Sequence, residues 1–133
     1  MEKIKEIIGR VKEIRAHKLY IGEEAANGTF RAKAFSAAQD YGDIIEALRS
    51  LIEKEVEIDP YRVQRAIHLL RHIITEKEAS VRVCDEEFRP VVKGELWVFQ
   101  EALRILEKTP TSKFFERKEN YFEEFDSKVK KQI

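Results

Sequence analysis

Apolar side chains recur every three or four residues through most of this chain, in segments set apart by turn-forming residues. That spacing gathers them on one side of an α-helix but scatters them over both faces of a strand, so it restricts the chain to helices that each bury one stripe. Ile4, Ile7, Ile8, Val11 and Ile14 form the first stripe, an arc of about 120° at about 100° per residue. Lys18 takes the next position of that stripe, and Gly9 lies on its polar side. Asn27-Gly28 is a strong turn signal, so the helix ends between Leu19 and Asn27.

Thr29 fits the N-cap of a second helix, since its hydroxyl can accept from an orphan amide of the first turn. The stripe that follows is Phe30, Ala34, Ala37, Ala38, Tyr41, Ile44, Ile45, Leu48, Leu51 and Ile52. Small residues come first, so a neighbouring helix can approach closely near Ala34, Ala37 and Ala38. Asp59-Pro60 predicts a sharp helix start: Asp supplies the capping oxygen, and Pro has no amide hydrogen to leave unpaired. Val63, Ala66, Ile67, Leu70, Ile73 and Ile74 then face one way. Val81, Cys84 and Phe88 continue their stripe with Lys77 filling the gap, which predicts a helix extending toward Phe88. The β-branched runs Val81-Arg82-Val83 and Arg89-Pro90-Val91-Val92 also suit a short β-hairpin between residues 81 and 92. Pro90 and Gly94 mark a break, and a fourth helix from Gly94 to Lys108 buries Leu96, Phe99, Ala102, Leu103 and Leu106. Thr109-Pro110 repeats the cap-then-proline signal and opens a last helix.

Short connections between amphipathic helices imply antiparallel neighbours, hence an all-α antiparallel bundle of four to five helices. At 133 residues the chain reads as one domain, 1–133, large enough to bury roughly two thirds of its unfolded surface. The similar patterns at Ile44–Leu51, Val63–Leu70 and Phe99–Leu106 lie at unequal intervals and read as common packing grammar rather than a solenoid repeat. No apolar run approaches the roughly 20 residues that span a bilayer, so no membrane is expected. The alternating charges of the N-terminus lack the apolar core of a secretory signal. One cysteine, Cys84, excludes an internal disulfide and fits a reducing compartment, so the expected location is cytoplasmic. With 25 basic and 25 acidic side chains the chain has none of the basic excess that phosphate neutralisation favours.

No catalytic motif stands out, and the reading expects neither cofactor nor metal. His68 and His72, at i and i+4 on one face, could grip a metal, but Leu69 stands where zinc proteases carry their glutamate. His17 sits in another segment, and Cys84 reads as a small buried hydrophobe. Carboxylate runs such as Asp85-Glu86-Glu87 read as solvated faces.

The face that carries the two histidines also holds Arg62 and Arg65. Five residues separate Arg62 from His68, and six separate Arg65 from His72. This spacing resembles the arginine–histidine signature of HEPN nucleases, small all-helical proteins that dimerise to cut RNA without metal. The resemblance implies a histidine that moves a proton and an arginine that stabilises a phosphorane, in a site built from two copies. It covers these residues alone, and Val63 and Ala66 follow the arginines where the family carries a polar residue. Phe30-Arg31-Ala32-Lys33-Ala34-Phe35-Ser36-Ala37-Ala38 is similar to a helical stretch in the N-terminal domain of X-family DNA polymerases. The glycine-rich hairpin that follows it in that family is absent here.

Aromatic residues carry the remaining signal. Trp97 projects away from its helix's apolar stripe, on a face shared with Gln100, Glu101 and Arg104. It is either covered by another segment or serves as an interface anchor. Phe114, Phe115, Tyr121, Phe122, Phe125 and Val129 fall on one arc of the last segment, and part of this stripe is expected in a homodimer interface. The sequence therefore reads as a non-catalytic protein-interaction bundle: an adaptor, regulator, inhibitor or assembly subunit that self-associates. The alternatives are a HEPN-like nuclease using Arg62, Arg65, His68 and His72, and a non-catalytic nucleic-acid-binding bundle using Arg31, Lys33, Arg62 and Arg65.

Overall fold

A computed structural model of the chain describes residues 2–53 and 58–109. These residues form four helices and no strand: α1 (Glu2–Glu24), α2 (Gly28–Ser50), α3 (Pro60–Val83) and α4 (Arg89–Glu107). The described residues are all-α, and the hairpin alternative for 81–92 is not formed. Val81 to Val83 complete the last turn of α3, and Arg89 to Val92 make the first turn of α4. The fifth helix expected from Pro110 lies outside the described residues.

Each boundary has a local cause. Asn27 caps α2, its Oδ1 accepting from the amides of Thr29 (2.8 Å) and Phe30 (3.3 Å). The cap thus falls two residues before the expected Thr29, because an Asn side chain reaches both orphan amides. Asp59 caps α3 as expected: Oδ1 accepts from Tyr61 N at 2.9 Å, with Pro60 in the first turn. The stripe through Cys84 and Phe88 does not stay helical. α3 stops at Val83, and Arg89 donates from Nε to Val81 O (3.3 Å) and from Nη2 to Cys84 O (3.4 Å), satisfying carbonyls at its end. Pro90 sits in the first turn of α4, where its missing amide costs nothing, so the break falls five residues earlier than Gly94.

The four helices run up and down as two hairpins, α1/α2 and α3/α4, with α2 against α3 and α4 against α1 closing the ring. Packing is far more extensive within each hairpin than between them. Pairings across the bundle fix the antiparallel register. Arg15 Nε donates to Ala38 O (3.1 Å) and Arg71 Nη2 to Glu107 Oε1 (3.2 Å), while Lys3 reaches Glu101 (2.7 Å) and Arg65 reaches Asp43 (3.5 Å). Glycine matters at Gly22, where a Cβ would lie 3.1 Å from the methyl of Ala34. That close approach is the one the alanine stretch of α2 predicts.

The core is lopsided. Its buried members are Ile7, Ile8 and Val11 on α1, Tyr41 to Leu48 on α2, Val63 to Ile73 on α3, and Val98 to Leu106 on α4. In antiparallel register these halves share one end of the bundle. At the other end the α1 stripe gives way to Lys18, α3 to Lys77 and α4 to Glu95, and after Phe30 the α2 stripe carries Ala34, Ala37 and Ala38. Helices without large apolar side chains between them cannot close that space. Phe30 and Phe88, which continue their stripes, are accordingly half exposed, and Cys84 is only partly covered at the end of α3.

Candidate functional site

Between the hairpins, at the end where the core gives out, lies a cleft of about 550 Å³. Its walls are Phe30 to Tyr41 of α2 and His72 to Ser80 of α3, with Lys18 of α1 reaching in. The floor is Tyr41, 3% exposed, whose ring packs against core Phe99 with centroids 5.2 Å apart. Beside it Lys77 Nζ donates to Glu95 Oε2 at 2.6 Å, joining α3 to α4, and each side chain keeps under a fifth of its exposure. His72 Nε2 lies 3.0 Å from Glu76 near the mouth.

Three titratable groups here are shifted, each toward its neutral form. Burial pushes the Tyr41 phenol up to about 12, and the carboxylates of Glu95, Glu76 and Asp40 add to it. Burial lowers the Lys18 ammonium, and the nearby Lys77 ammonium lowers it further, against the opposing pull of Glu95 and Glu76. Burial and then Asp43 raise the Asp40 carboxyl. Neither Lys18 nor Asp40 has an ion-pair partner within 4 Å among the described residues. The cleft therefore combines a volume of about 550 Å³ with convergent polar groups whose charged forms burial disfavours.

Large apolar side chains are exposed at the same end of the bundle as the cleft. Of the eight large hydrophobic side chains exposed among the described residues, six sit at this end: Tyr20, Phe30, Phe35, Val83, Phe88 and Val91. Tyr61 lies at the opposite end, and Trp97 midway along α4. Trp97 is 47% exposed beside a second, shallower cavity of about 290 Å³ formed with Arg10, Glu13, Ile14, Gly94, Glu95 and Val98.

The residues singled out from sequence fall in three places. Arg62, Arg65, His68 and His72 share the solvent-exposed face of α3; only His72 lines the cleft, while Arg65 pairs with Asp43. Arg31 folds back over the end of α1, donating to Gly22 O (3.2 Å), Glu23 O (3.2 Å) and Ala25 O (3.4 Å), whereas Lys33 faces the cleft. His17 is exposed on α1, and no three His, Cys, Asp or Glu side chains among the described residues are grouped to hold a metal. Phe114, Phe115, Tyr121, Phe122, Phe125 and Val129 lie outside the described residues. No described helix is long and apolar enough to cross a membrane. Lys18 and Lys77 were visible in the sequence as interruptions of two stripes, but nothing local in it brings them to one cleft. Comparison with protein-family models, with curated proteins and with solved structures finds no match.

Proposed function

We propose that this chain is a non-catalytic protein-interaction bundle, an adaptor, regulator, inhibitor or assembly subunit, which engages a second copy of itself through the open end of the bundle. The observation that carries the reading is the gathering of Tyr20, Phe30, Phe35, Val83, Phe88 and Val91 around that end. Apolar side chains scattered singly over a surface need no explanation; six collected at one end of a small bundle mark a contact surface. Its test is the mass in solution of the wild type and of Phe30→Ser/Phe88→Ser. The expected result is a dimer that falls to a folded monomer in the variant. A variant that stays dimeric places the contact elsewhere, and Phe122→Ala/Phe125→Ala then asks whether the C-terminal stripe supplies it. A folded wild-type monomer removes self-association.

A HEPN-like, metal-independent RNase is the second reading, favoured by the exposure of Arg62, Arg65, His68 and His72 on one face of α3. Two copies would have to meet along that face. RNA cleavage that follows the protein peak and disappears in His72→Ala would promote it; purified protein without cleavage is the expected result. A salt-sensitive gel shift without cleavage would instead favour a non-catalytic nucleic-acid-binding bundle.

A further inference from the structure

The interior of the cleft is chemically unlike its rim. Lys18 brings an ammonium to a wall that burial makes unfavourable for charge, and the nearest like charge, Lys77, already has its partner in Glu95 at 2.6 Å. Lys33 adds a second cation to the same space, and it makes no ion pair with any described residue. Glu76 lies 3.0 Å from His72 Nε2, and its carboxylate, like that of Glu95, favours the charged form of Lys18 without pairing with it directly. Asp40 and the Tyr41 hydroxyl, which line the same cleft, also lack hydrogen-bond partners among the described residues. Two uncommitted cations, one uncommitted carboxyl and one phenol therefore converge on about 550 Å³, a volume in the range of small-molecule sites.

From this arrangement we infer that the cleft is a binding site for a small organic anion, a carboxylate or a phosphate, whose charged end lies between Lys18 and Lys33. An anion there supplies the direct ion-pair partner that Lys18 does not have among the described residues. A hydroxyl or amine on the same ligand donates to Asp40, and Tyr41 donates its proton to a remaining ligand oxygen. Charge-assisted hydrogen bonds to ammonium groups are the strong polar contacts available to such a ligand. Phe30 and Ala37, on the wall beside them, cover its apolar part. Phe30 belongs to both surfaces, but Lys18 lies inside the cleft and not on the apolar rim, so Lys18→Met tests this inference without altering the side chains on which self-association rests.

The test is NMR titration of the full chain carrying ¹³C-labelled lysine, with inorganic phosphate and, separately, with succinate, at ionic strength held constant with sodium chloride. Saturable shifts at the Lys18 side chain, and a rise of its pKa toward the ordinary lysine value in the bound state, are expected with at least one probe. Saturation by phosphate alone or by succinate alone identifies the anion class. Lys18→Met keeps the aliphatic stem and should weaken binding by about tenfold, the loss of one charged hydrogen bond. Tyr41→Phe, which keeps the contact with Phe99, should weaken it less. A Lys18 resonance that neither probe moves beyond the chloride control overturns the inference. So does equal binding to folded Lys18→Met, with the fold checked by circular dichroism.

Discussion

The ion pair beneath the cleft can be interrogated by Lys77→Met and Glu95→Gln, made singly and together. Nζ and Oε2 are 2.6 Å apart, and the side chains retain 17% and 18% of their exposure. Two unit charges at that separation attract by about 6 kcal/mol at an effective dielectric constant of about 20. Desolvating both groups consumes most of this, leaving a coupling of about 1–3 kcal/mol. That exceeds the roughly 0.2–1 kcal/mol typical of exposed pairs. Each single substitution should cost about 2 kcal/mol, because it strands a partly covered charge, and the double variant should cost less than the sum. Urea unfolding of the four proteins, followed by circular dichroism at neutral pH, closes the cycle. Repeating it in about 1 M salt should change the coupling little, since a covered pair is screened weakly. A coupling under about 0.5 kcal/mol, or one that salt abolishes, would mean that the cleft floor is as wet as an open surface.

Gly22→Ala and Gly9→Ala should move stability in opposite directions. The first places a methyl 3.1 Å from that of Ala34 and should lose about 1 kcal/mol net, while the second meets nothing within 4 Å and should gain about 0.5–1 kcal/mol. Thermal melts that rank Gly22→Ala above Gly9→Ala would refute the close approach of α1 and α2. Tyr41 predicts an alkaline transition. Its pKa rises from 10.0 to about 12, so its contribution is complete below the unfolded value and is lost as pH climbs between the two. Tyr41→Phe should lose stability less steeply across that window, and parallel curves of urea midpoint against pH would contradict the burial argument. Glu101 runs the other way: the Lys3 contact, and with it Arg104, holds its carboxyl below the ordinary range. Its stabilisation is present above the unfolded pKa and lost on acidification through the folded one, and Lys3→Met should flatten that acid limb.

Period alone identified the core face of α3: Val63, Ala66, Ile67, Leu70 and Ile73 are all buried, and Asp59-Pro60 starts the helix where those two residues require. What period cannot give is depth. Phe30, Cys84 and Phe88 continue their stripes as faithfully as Leu70 does, yet they run past the point where a neighbouring helix has anything large to offer. The start of α4 was misplaced for a different reason. Proline punctuates a helix either by ending it or by opening it, and the local sequence Arg89-Pro90-Val91-Val92 permits both. Glu101 reads in the sequence as one polar member of the Trp97 face, yet it is 6% exposed and meets Lys3 of α1 at 2.7 Å. Such long-range pairing is invisible to any window of sequence.

The same limit hides the cleft, and it also explains why the cleft exists. Lys18 and Lys77 each occupy a position that leucine would fill with a gain of about 1.5–3 kcal/mol on full burial. A helix can present a lysine at such a position without cost if the stem lies flat and the ammonium reaches water. Lys77 does not do so; it turns inward to Glu95. Lys18 is partly covered and has no ion-pair partner within 4 Å among the described residues, and burial disfavours its ammonium there. Two helices thus forgo core formation at one level of the bundle, while Tyr41 seals the true core against Phe99 directly below. Simple fraying of a bundle end would leave polar groups solvated and unshifted. Here Lys18, Asp40 and Tyr41 are all driven toward neutrality around one open cleft, with exposed apolar side chains at the same end of the bundle. Two apolar stripes are thus interrupted at one level of the bundle, and among the described residues only one of the two lysines, Lys77, has an internal ion pair to compensate it.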